Sequence, residues 1–358
     1  MENSTVSEPS QRNWTKTGDY IAFNPLERVC LISALSIATL AIIIGNSLVL
    51  IVLSRQRKTA SQRVVTIFLG NLAFMDLSIA LLIMPLSIST YIHGKWPFGR
   101  VVCEVNGFTT MLVGIVAILT MTAIAVDRYR IIVLTAGQRL LPKHAYRILV
   151  FIWLWAIVQS LPPVLGWNEY IWSPTSSVCR AKFGQKDGYI ELVAFLSYIV
   201  PLCIMVFCYL RVYITVRQSR RRVEMWAKFT QDVWLRAETH TAKVVFTVLT
   251  AFIICWTPFV LIYAISGSGV VTIPQEAFIF TGFMASSHSV CNPIIYLTMN
   301  KRFRNDLILL VCRRRLRDTS GNLTIRPSNI PRIIQTMRVI DDGEEENGDE
   351  KMTNGARN

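Results

Sequence analysis

The sequence predicts an all-α membrane protein: a seven-transmembrane helix bundle followed by a short amphipathic eighth helix. Of its 358 residues, 52% are hydrophobic and only 17% are charged, whereas soluble domains carry about 25% charged residues. Seven apolar stretches are long enough to cross a bilayer core of about 30 Å. The net charge of +14 is concentrated in the polar gaps between them. This pattern indicates membrane topology rather than a surface for nucleic acid.

The predicted spans follow one another closely along the chain. They are approximately Val29–Leu53, Val64–Ile92, Val101–Val133, Ala145–Gly166, Ile190–Val216, Thr239–Ile265 and Ile273–Met299. This transmembrane domain, 29–299, follows a polar segment, 1–28, that lacks the apolar core of a cleavable signal peptide. Apolar residues recur at helical spacing between basic ones over 300–312, which predicts a helix on the membrane surface. The polar residues 313–358 are predicted to be a disordered cytoplasmic tail.

Basic residues predict the orientation of the chain. Lys and Arg are concentrated in four gaps, 55–63, 130–147, 217–236 and 301–317. The alternate gaps carry few, and "SGSGVVT" carries none. Positive residues favour the cytoplasmic side, so we expect an extracellular N-terminus and a cytoplasmic C-terminus in the plasma membrane. Asn3 and Asn13 begin glycosylation triplets in the segment predicted to be extracellular.

Seven spans in this orientation fit a receptor, a light-driven pump or a channel. A channel or transporter needs a charged or carbonyl-lined pathway. Here Asp76 has no second acid deep in the spans to relay protons, and no internal repeat is visible. The sequence shows neither a metal-ligand spacing nor a nucleophile with a partner base, so nothing in it indicates an enzyme. Polar and proline residues therefore have to distinguish the remaining classes.

Each span carries such a mark, and the marks occur in a fixed order. They are Gly45-Asn46, Asp76, Cys103 with Asp127-Arg128-Tyr129, Trp153 with Pro162, Pro201 with Tyr209, "CWTP" ending at Pro258, and "NPIIY" from Asn292 to Tyr296. Together they resemble the rhodopsin-like, or class A, G-protein-coupled receptors over residues 45–311. The resemblance implies a receptor that signals to heterotrimeric G proteins, with arrestin and receptor kinases as further partners.

The resemblance implies a charge clasp at the cytoplasmic end of the third span. Asp127 adjoins Arg128 and would hold it, and Glu238 would supply a second carboxylate from the sixth helix. A solvated ion pair is worth only about 0–1 kcal/mol, so such a clasp acts as a switch. Outward movement of the sixth helix would release Arg128 to the G protein. The alternative is that Arg128 only reaches for lipid headgroups.

Further sets of residues take their roles from the same resemblance. A polar core is implied at Asn46, Asp76, His288, Ser289 and Asn292. A packing relay and proline hinge are implied at Ile118, Pro201, Phe252, Trp256 and Pro258, with ordinary core packing as the alternative.

Tyr209 and Tyr296 would pair through water in the active state, or belong to an interfacial aromatic belt, and Pro293 follows Asn292 in the seventh helix. Ala117 stands where a sodium-ligating hydroxyl is common, so sodium is disfavoured. His288 is expected to be a hydrogen-bonded core residue.

Two covalent features are expected from cysteines. The resemblance implies a disulfide between Cys103 and Cys179, both on the oxidising side of the membrane. Cys312 follows the predicted surface helix and is a palmitoylation candidate.

The predicted ligand pocket is informative through the groups it lacks. Thr110 replaces the aspartate of monoamine receptors, so this position has no anion to hold a protonated amine. Ser286 replaces the opsin lysine and cannot form a retinal Schiff base, so no cofactor is expected. Pocket residues are predicted to be Thr110, Met111, Gly114, Val193, Ser197, Phe259, Tyr263, Gly282 and Ser286. Such a lining suits an apolar or weakly polar ligand. A constitutively active orphan receptor and a non-photosensitive opsin relative remain alternatives.

Overall fold

The structure is a computed structural model of the whole chain. It describes residues 24–55, 60–134, 140–172, 177–182, 188–223, 229–268, 273–300 and 303–308, with side chains left out at 60–62, 219–223, 229–239, 241 and 267–268. The predicted glycosylation sites Asn3 and Asn13 and the predicted palmitoylation site Cys312 lie outside these ranges.

Seven long helices run through the described ranges, as the sequence predicts. They are α1 (Pro25–Arg55), α2 (Ala60–Ser78, continued by Ile79–Ile83 and Met84–His93), α3 (Gly99–Ile132), α4 (Pro142–Ser160), α5 (Tyr189–Ala194, continued by Phe195–Ile199 and Val200–Val223), α6 (Phe229–Ser268) and α7 (Gln275–Met299). By length and composition, the helices apolar enough to cross a membrane within the described residues are α1, α2, α3, α5 and α6. The shorter α4 packs on α2 and α3, and α7 packs on α1 and α6.

Two helices contain a π-helical turn, at Ile79–Ile83 in α2 and at Phe195–Ile199 in α5. Each turn ends two residues before a proline, Pro85 or Pro201. Proline lacks an N–H and its ring crowds the carbonyl four residues earlier. A wider turn at that point accommodates the ring without ending the helix.

The helix ends differ from the predicted spans for identifiable reasons. The fourth span was predicted to reach Gly166, but α4 ends at Ser160 because Pro162 and Pro163 follow. The sixth was predicted to begin at Thr239, whereas α6 begins at Phe229. Hydropathy locates only the part of a helix that lies in lipid, and α6 continues as a polar helix beyond it.

Helix α3 lies at the centre of the bundle, in contact with α2, α4, α5 and α6. Its buried side chains include both apolar residues and the charged pair Asp127 and Arg128. At another helix contact, a Cβ on Gly45 of α1 would lie 2.7 Å from Cγ of Pro293 in α7. Glycine is therefore what lets these two helices approach so closely at the level of Pro293.

A short hairpin covers the end of the bundle at which α3 begins. Strands β1 (Tyr170–Ile171) and β2 (Arg180–Ala181) pair antiparallel, with Tyr170 opposite Ala181. The predicted disulfide between Cys103 and Cys179 is confirmed and ties this hairpin to α3. Gly107 of α3 makes room for the Tyr170 ring, which would clash with a Cβ there.

A helical segment follows α7, as expected for the predicted surface helix. Residues 303–308 are helical, and the Asn300 side chain accepts a hydrogen bond from the backbone N–H of Phe303 at 3.1 Å. Such a side-chain acceptor is typical of a helix N-terminus. The Phe303 ring lies 6.1 Å from that of Tyr296. The rest of the predicted helix, to residue 312, lies outside the described ranges.

Candidate functional site

The C-terminal end of α3 buries an ion pair. The Arg128 side chain is 1% exposed, and its Nε and Nη2 donate hydrogen bonds to Oδ2 of Asp127 at 3.2 Å and 2.5 Å. A buried charge is stable only when it is paired and hydrogen-bonded. Asp127 is therefore the partner of Arg128 within α3, as the sequence predicts.

An apolar cluster closes the bundle beside this pair. Ile131 and Ile132 of α3 pack with Val212 of α5 and Ala242 of α6. Moving α6 outward would expose these side chains, and each buried aliphatic side chain is worth about 1.5–3 kcal/mol in water. Opening would thus cost a few kcal/mol. Glu238 lies on the helical backbone of α6, but its side chain lies outside the described part of the chain, so its contact with Arg128 stays a prediction.

The three predicted switch tyrosines lie in different surroundings. The ring of Tyr129 lies 5.8 Å from Phe207 of α5. The hydroxyls of Tyr209 and Tyr296 are buried and have no hydrogen-bond partner among the residues that the structure describes. A buried hydroxyl without a partner costs free energy. Both tyrosines would therefore gain from a bond formed in another state of the bundle.

The predicted polar core is assembled between α1, α2 and α7. Asn292 donates a hydrogen bond from Nδ2 to Oδ2 of Asp76 at 2.8 Å, and Asn46 donates to the backbone carbonyl of Ser289 at 3.2 Å. His288 places Nε2 3.7 Å from Oδ1 of Asp76. Asp76 is 2% exposed. These contacts bring all five predicted residues together around one buried carboxylate.

This donor set does not fit a sodium ion. The carboxylate oxygen Oδ1 of Asp76 faces the His288 ring, and Asn292 bonds the other oxygen. Ala117 is buried on α3 and brings no oxygen to the core. Hard cations such as sodium need several oxygen ligands, whereas an imidazole N–H directed at the carboxylate competes with them. His288 itself contributes a hydrogen-bonding ring here, as the sequence predicts.

Above the core, His288 contacts the predicted hinge residues. Trp256 donates a hydrogen bond from Nε1 to Nδ1 of His288 at 3.1 Å. The Phe252 ring lies 5.6 Å from Trp256 and 5.5 Å from His288. Phe252, Ile118 and Pro201 are all buried, and Pro258 lies inside α6 two residues after Trp256. The polar core and the hinge are thus in direct contact through one ring.

A cavity, named the outer cavity here, lies between Trp256 and the loop residues Ser177 and Val178. Water-sized molecules can reach about 110 Å³ of it, and α1, α2, α3, α6, α7 and the covering loop line it. Most residues of the predicted pocket contribute to this lining: Thr110, Gly114, Phe259, Tyr263, Gly282 and Ser286. The lining is mainly aliphatic and aromatic with a few hydroxyls, which is the usual character of a small-molecule site.

Three residues predicted to line the pocket lie elsewhere. Met111 accepts a hydrogen bond at its sulfur from the Tyr189 hydroxyl at 3.0 Å. Ser197 donates to Oε1 of Gln159 at 2.7 Å, and Val193 packs near Tyr189. They form the contact of α3, α4 and α5 under the hairpin. The π-helical turn of α5 changes which side chains face inward, so regular helical spacing misplaced Val193 and Ser197.

Ser286, which stands in place of the opsin lysine, and Asn106 on α3 are both neutral side chains. Ser286 donates its hydroxyl to the carbonyl of Gly282 at 3.0 Å and lines the cavity. No lysine lines the cavity within the described ranges. Asn106 is buried and accepts a hydrogen bond at Oδ1 from the backbone N–H of Cys179 at 2.9 Å. The residues present therefore do not fit a covalently bound retinal, and Asn106 instead holds the covering loop.

Several structurally important polar residues were not singled out from the sequence. Asn71 donates to the Thr120 hydroxyl at 3.0 Å and accepts from Nε1 of Trp153 at 3.2 Å, which joins α2, α3 and α4. The presence of polar residues inside apolar spans could have indicated these contacts from the sequence. Arg180 on β2 was also missed. Its guanidinium lies 3.9 Å above the ring of Tyr263.

Comparison with known proteins agrees with this architecture. Residues 45–296 match the family "7 transmembrane receptor (rhodopsin family)". The chain is 30% identical over 275 residues to pinopsin of Gallus gallus, covering 75% of this chain and 76% of that one. It is 31% identical over 279 residues to Opsin-3 of Mus musculus, covering 76% and 68%. The crystal structure of squid rhodopsin superposes with a TM-score of 0.73 at 23% identity, covering 85% of this chain and 92% of that one.

The chain therefore belongs to the rhodopsin family of seven-transmembrane receptors. It is a signalling receptor and a multi-pass protein of the plasma membrane, not an enzyme. The predicted class A resemblance and the predicted seven-helix fold are both confirmed.

Proposed function

We propose that this receptor activates heterotrimeric G proteins when α6 moves outward and uncovers Arg128. The burial of Arg128 is the observation that carries the proposal. Its side chain is 1% exposed and paired with Asp127, and the cluster of Ile131, Ile132, Val212 and Ala242 begins three residues further along α3. A protein partner can reach the guanidinium only after that cluster separates. Separation costs a few kcal/mol, a range that the binding energy of a ligand can offset.

The signal would reach the cluster through the ring contacts of α6 and α7. A ligand in the outer cavity contacts Trp256, which is hydrogen-bonded to His288, which in turn faces Asp76. Pro258 removes one backbone hydrogen bond from α6 and provides a hinge close to Trp256. After opening, the hydroxyls of Tyr209 and Tyr296 would gain the hydrogen bonds that they lack in the closed form.

The test is guanine-nucleotide exchange on a panel of purified G proteins with the receptor in lipid nanodiscs. Arg128→Ala should abolish exchange above the receptor-free rate. Arg130→Ala, two residues further along α3, is the matched control and should retain it. Equal exchange by both variants would refute the role of Arg128. Exchange without any added ligand measures the basal activity and separates a ligand-gated receptor from a constitutively active one.

We further propose that the receptor works without a covalent chromophore. Ser286 stands at the position of the opsin lysine, and its hydroxyl is bonded to its own helix. Incubation with retinal followed by borohydride reduction should leave no retinyl adduct on the protein. An adduct would show that another lysine takes this role.

The remaining proposals concern topology and partners. The basic residues concentrated at 55–63, 130–147, 217–236 and 301–317 support an extracellular N-terminus and a cytoplasmic C-terminus. Arrestin and receptor kinases would bind the same cytoplasmic face once α6 has moved. An antibody against a C-terminal tag should label permeabilised cells and leave intact cells unlabelled.

A further inference from the structure

We propose that the outer cavity binds an uncharged amphiphile whose polar end donates a hydrogen bond, as an aliphatic alcohol does, to Thr110 and Ser286. This inference rests on the proposed function of the cavity as the ligand site of the receptor. It adds the chemical class of the ligand, which membership of the family does not specify.

Two hydroxyls of the lining offer acceptors to a ligand. Thr110 on α3 donates its proton to the backbone carbonyl of Asn106 at 2.7 Å, and Ser286 on α7 donates to that of Gly282 at 3.0 Å. Both side chains line the cavity. A hydroxyl has one proton and two lone pairs, so these two can accept from a ligand as they stand, but can donate only by giving up the bond to their own helix. An O–H or N–H of the ligand therefore complements both positions better than an ether or carbonyl oxygen does.

The lining disfavours a charged head group. Among the described residues that line the cavity, none is an Asp, Glu, Lys or Arg. Arg180 stacks on the Tyr263 ring, but it is not among the lining residues. A charge that leaves water without a partner of opposite sign loses far more free energy than a hydroxyl does. We therefore expect both a carboxylate and an ammonium to bind less tightly than an alcohol of the same length.

The two acceptors lie on the helices that flank Trp256. Gly114 follows Thr110 by one turn of α3, and a Cβ on Gly114 would lie 3.8 Å from Cη2 of Trp256. Ser286 precedes His288 by two residues of α7, and Trp256 is hydrogen-bonded to His288. We therefore expect the polar end of the ligand near Trp256, the residue next to the proposed hinge.

The rest of the cavity favours a slender apolar chain. Aliphatic and aromatic side chains of α1, α2 and α7 line it, among them Leu35, Ile79, Met84 and Phe283. Trp256 and Tyr263 both line it and are seven residues apart on α6, which at 1.5 Å per residue is about 10 Å, roughly the length of an eight-carbon chain. A Cβ on Gly282 would meet no atom within 4 Å in the described structure, so space is open one turn before Ser286. The reachable volume of about 110 Å³ suits a chain better than a bulky ring system.

The experiment compares octanol with its isomer heptyl methyl ether, which has the same atoms but no O–H. Each probe is titrated onto the full chain in lipid nanodiscs, and thermal unfolding reports binding, because a ligand of the folded state raises Tm. Receptor-free nanodiscs give the amount of each probe that dissolves in the lipid, and the concentrations are corrected for it. Octanol should raise Tm at about 2- to 10-fold lower concentration than the ether, the range expected for the net gain of one hydrogen bond. Octanoate and octylammonium should both need higher concentrations than octanol.

Variants that remove only a hydroxyl test the two acceptors. Thr110→Val and Ser286→Ala should each reduce the preference for octanol, and the double variant should abolish it while ether binding stays unchanged. The matched controls are Thr122→Val on α3 and Ser287→Ala on α7. Their hydroxyls also donate to the carbonyl four residues earlier, but neither residue is among those that line the cavity. Both controls should therefore keep the preference of the wild type.

Each result either supports or overturns the alcohol site. Equal effects of octanol and the ether on the wild type overturn it, and this comparison needs no variant to fold. Tighter binding of octanoate or octylammonium than of octanol also overturns it, as does equal loss of the preference in the control variants. Gly282→Val fills the open space before Ser286 and should weaken octanol and the ether alike, whereas unchanged binding would place the probes outside the cavity and overturn the site.

Nucleotide exchange is measured separately, so that the two proposals can fail independently. Arg128-dependent exchange without a preference for octanol removes this inference alone. A preference for octanol that depends on Thr110 and Ser286, without exchange, supports this inference and removes the proposed function alone.

Discussion

The indole Nε1 of Trp256 lies 3.1 Å from Nδ1 of His288, and the same Nδ1 lies 2.6 Å from the backbone carbonyl of Ala285. The indole N–H needs an acceptor, whereas the carbonyl needs a donor. One ring nitrogen cannot serve both at once, so the position of the imidazole proton decides which bond forms. With Nδ1 unprotonated, His288 accepts from Trp256 and its Nε2–H faces Asp76. With Nδ1 protonated, the bond to Trp256 is lost.

The first prediction concerns this ring. His288→Ala removes the acceptor of the Trp256 N–H and the neighbour of the Asp76 carboxylate. A buried donor without a partner costs about 1–3 kcal/mol, so Tm should fall. Release of Trp256 should also raise basal nucleotide exchange. Ser287→Ala is the control, because that hydroxyl donates to the carbonyl of Phe283 in its own helix. Equal Tm and equal exchange in both variants would contradict the prediction.

The second prediction tests the charge clasp at the cytoplasmic end. Glu238→Ala should raise basal nucleotide exchange severalfold, because it removes the second carboxylate that is predicted to hold Arg128. Exchange is compared at equal surface expression, with His240→Ala, an exposed neighbour on α6, as the control. Unchanged basal output from Glu238→Ala would remove this residue from the switch.

The third prediction uses the close contact of α1 and α7. Gly45→Ala places a methyl group 2.7 Å from Cγ of Pro293, and such overpacking costs about 1–3 kcal/mol. Tm should fall accordingly. Gly70→Ala meets no atom within 4 Å in the described structure and should leave Tm unchanged or raise it, because alanine favours the helix. Two variants of equal stability would show that the helices can separate at little cost.

The fourth prediction concerns the covering hairpin. The disulfide closes a loop with a sequence separation of 76 residues, for which the loss of unfolded-state entropy is about 4–5 kcal/mol. The double variant Cys103→Ala with Cys179→Ala should therefore unfold at a clearly lower temperature than the wild type. Cys30→Ser, at an exposed free thiol, is the control. A reducing agent should lower the Tm of the control and spare the double variant.

The buried polar residues explain why the core of the site could be predicted. A carboxylate such as Asp76 is costly inside a membrane span unless it has partners, so its presence indicates a site before any fold is known. The same holds for Asp127 and Arg128 at the end of α3. Prolines within apolar stretches likewise indicate hinges, as at Pro258. These signals are local, and the chain carries them in order.

Contacts between distant segments could not be predicted in this way. Arg180 and Tyr263 lie on a loop strand and on α6, and no sequence pattern relates them. The extension of α6 back to Phe229 was also missed, because hydropathy gives no information about the part of a helix that lies outside the lipid. The inward face of α5 was misjudged because its π-helical turn at Phe195–Ile199 interrupts the regular spacing.

The π-helical turn of α2 has a consequence for ligand choice within the family. One added residue rotates everything after it by about 100° around the helix axis. Ser87 and Tyr91, which line the cavity, follow the turn at Ile79–Ile83. A relative lacking that single residue would turn other side chains toward its ligand while keeping the same helices in the same places. Insertion or deletion of one amino acid at this turn therefore changes several lining positions at once, whereas a substitution changes one.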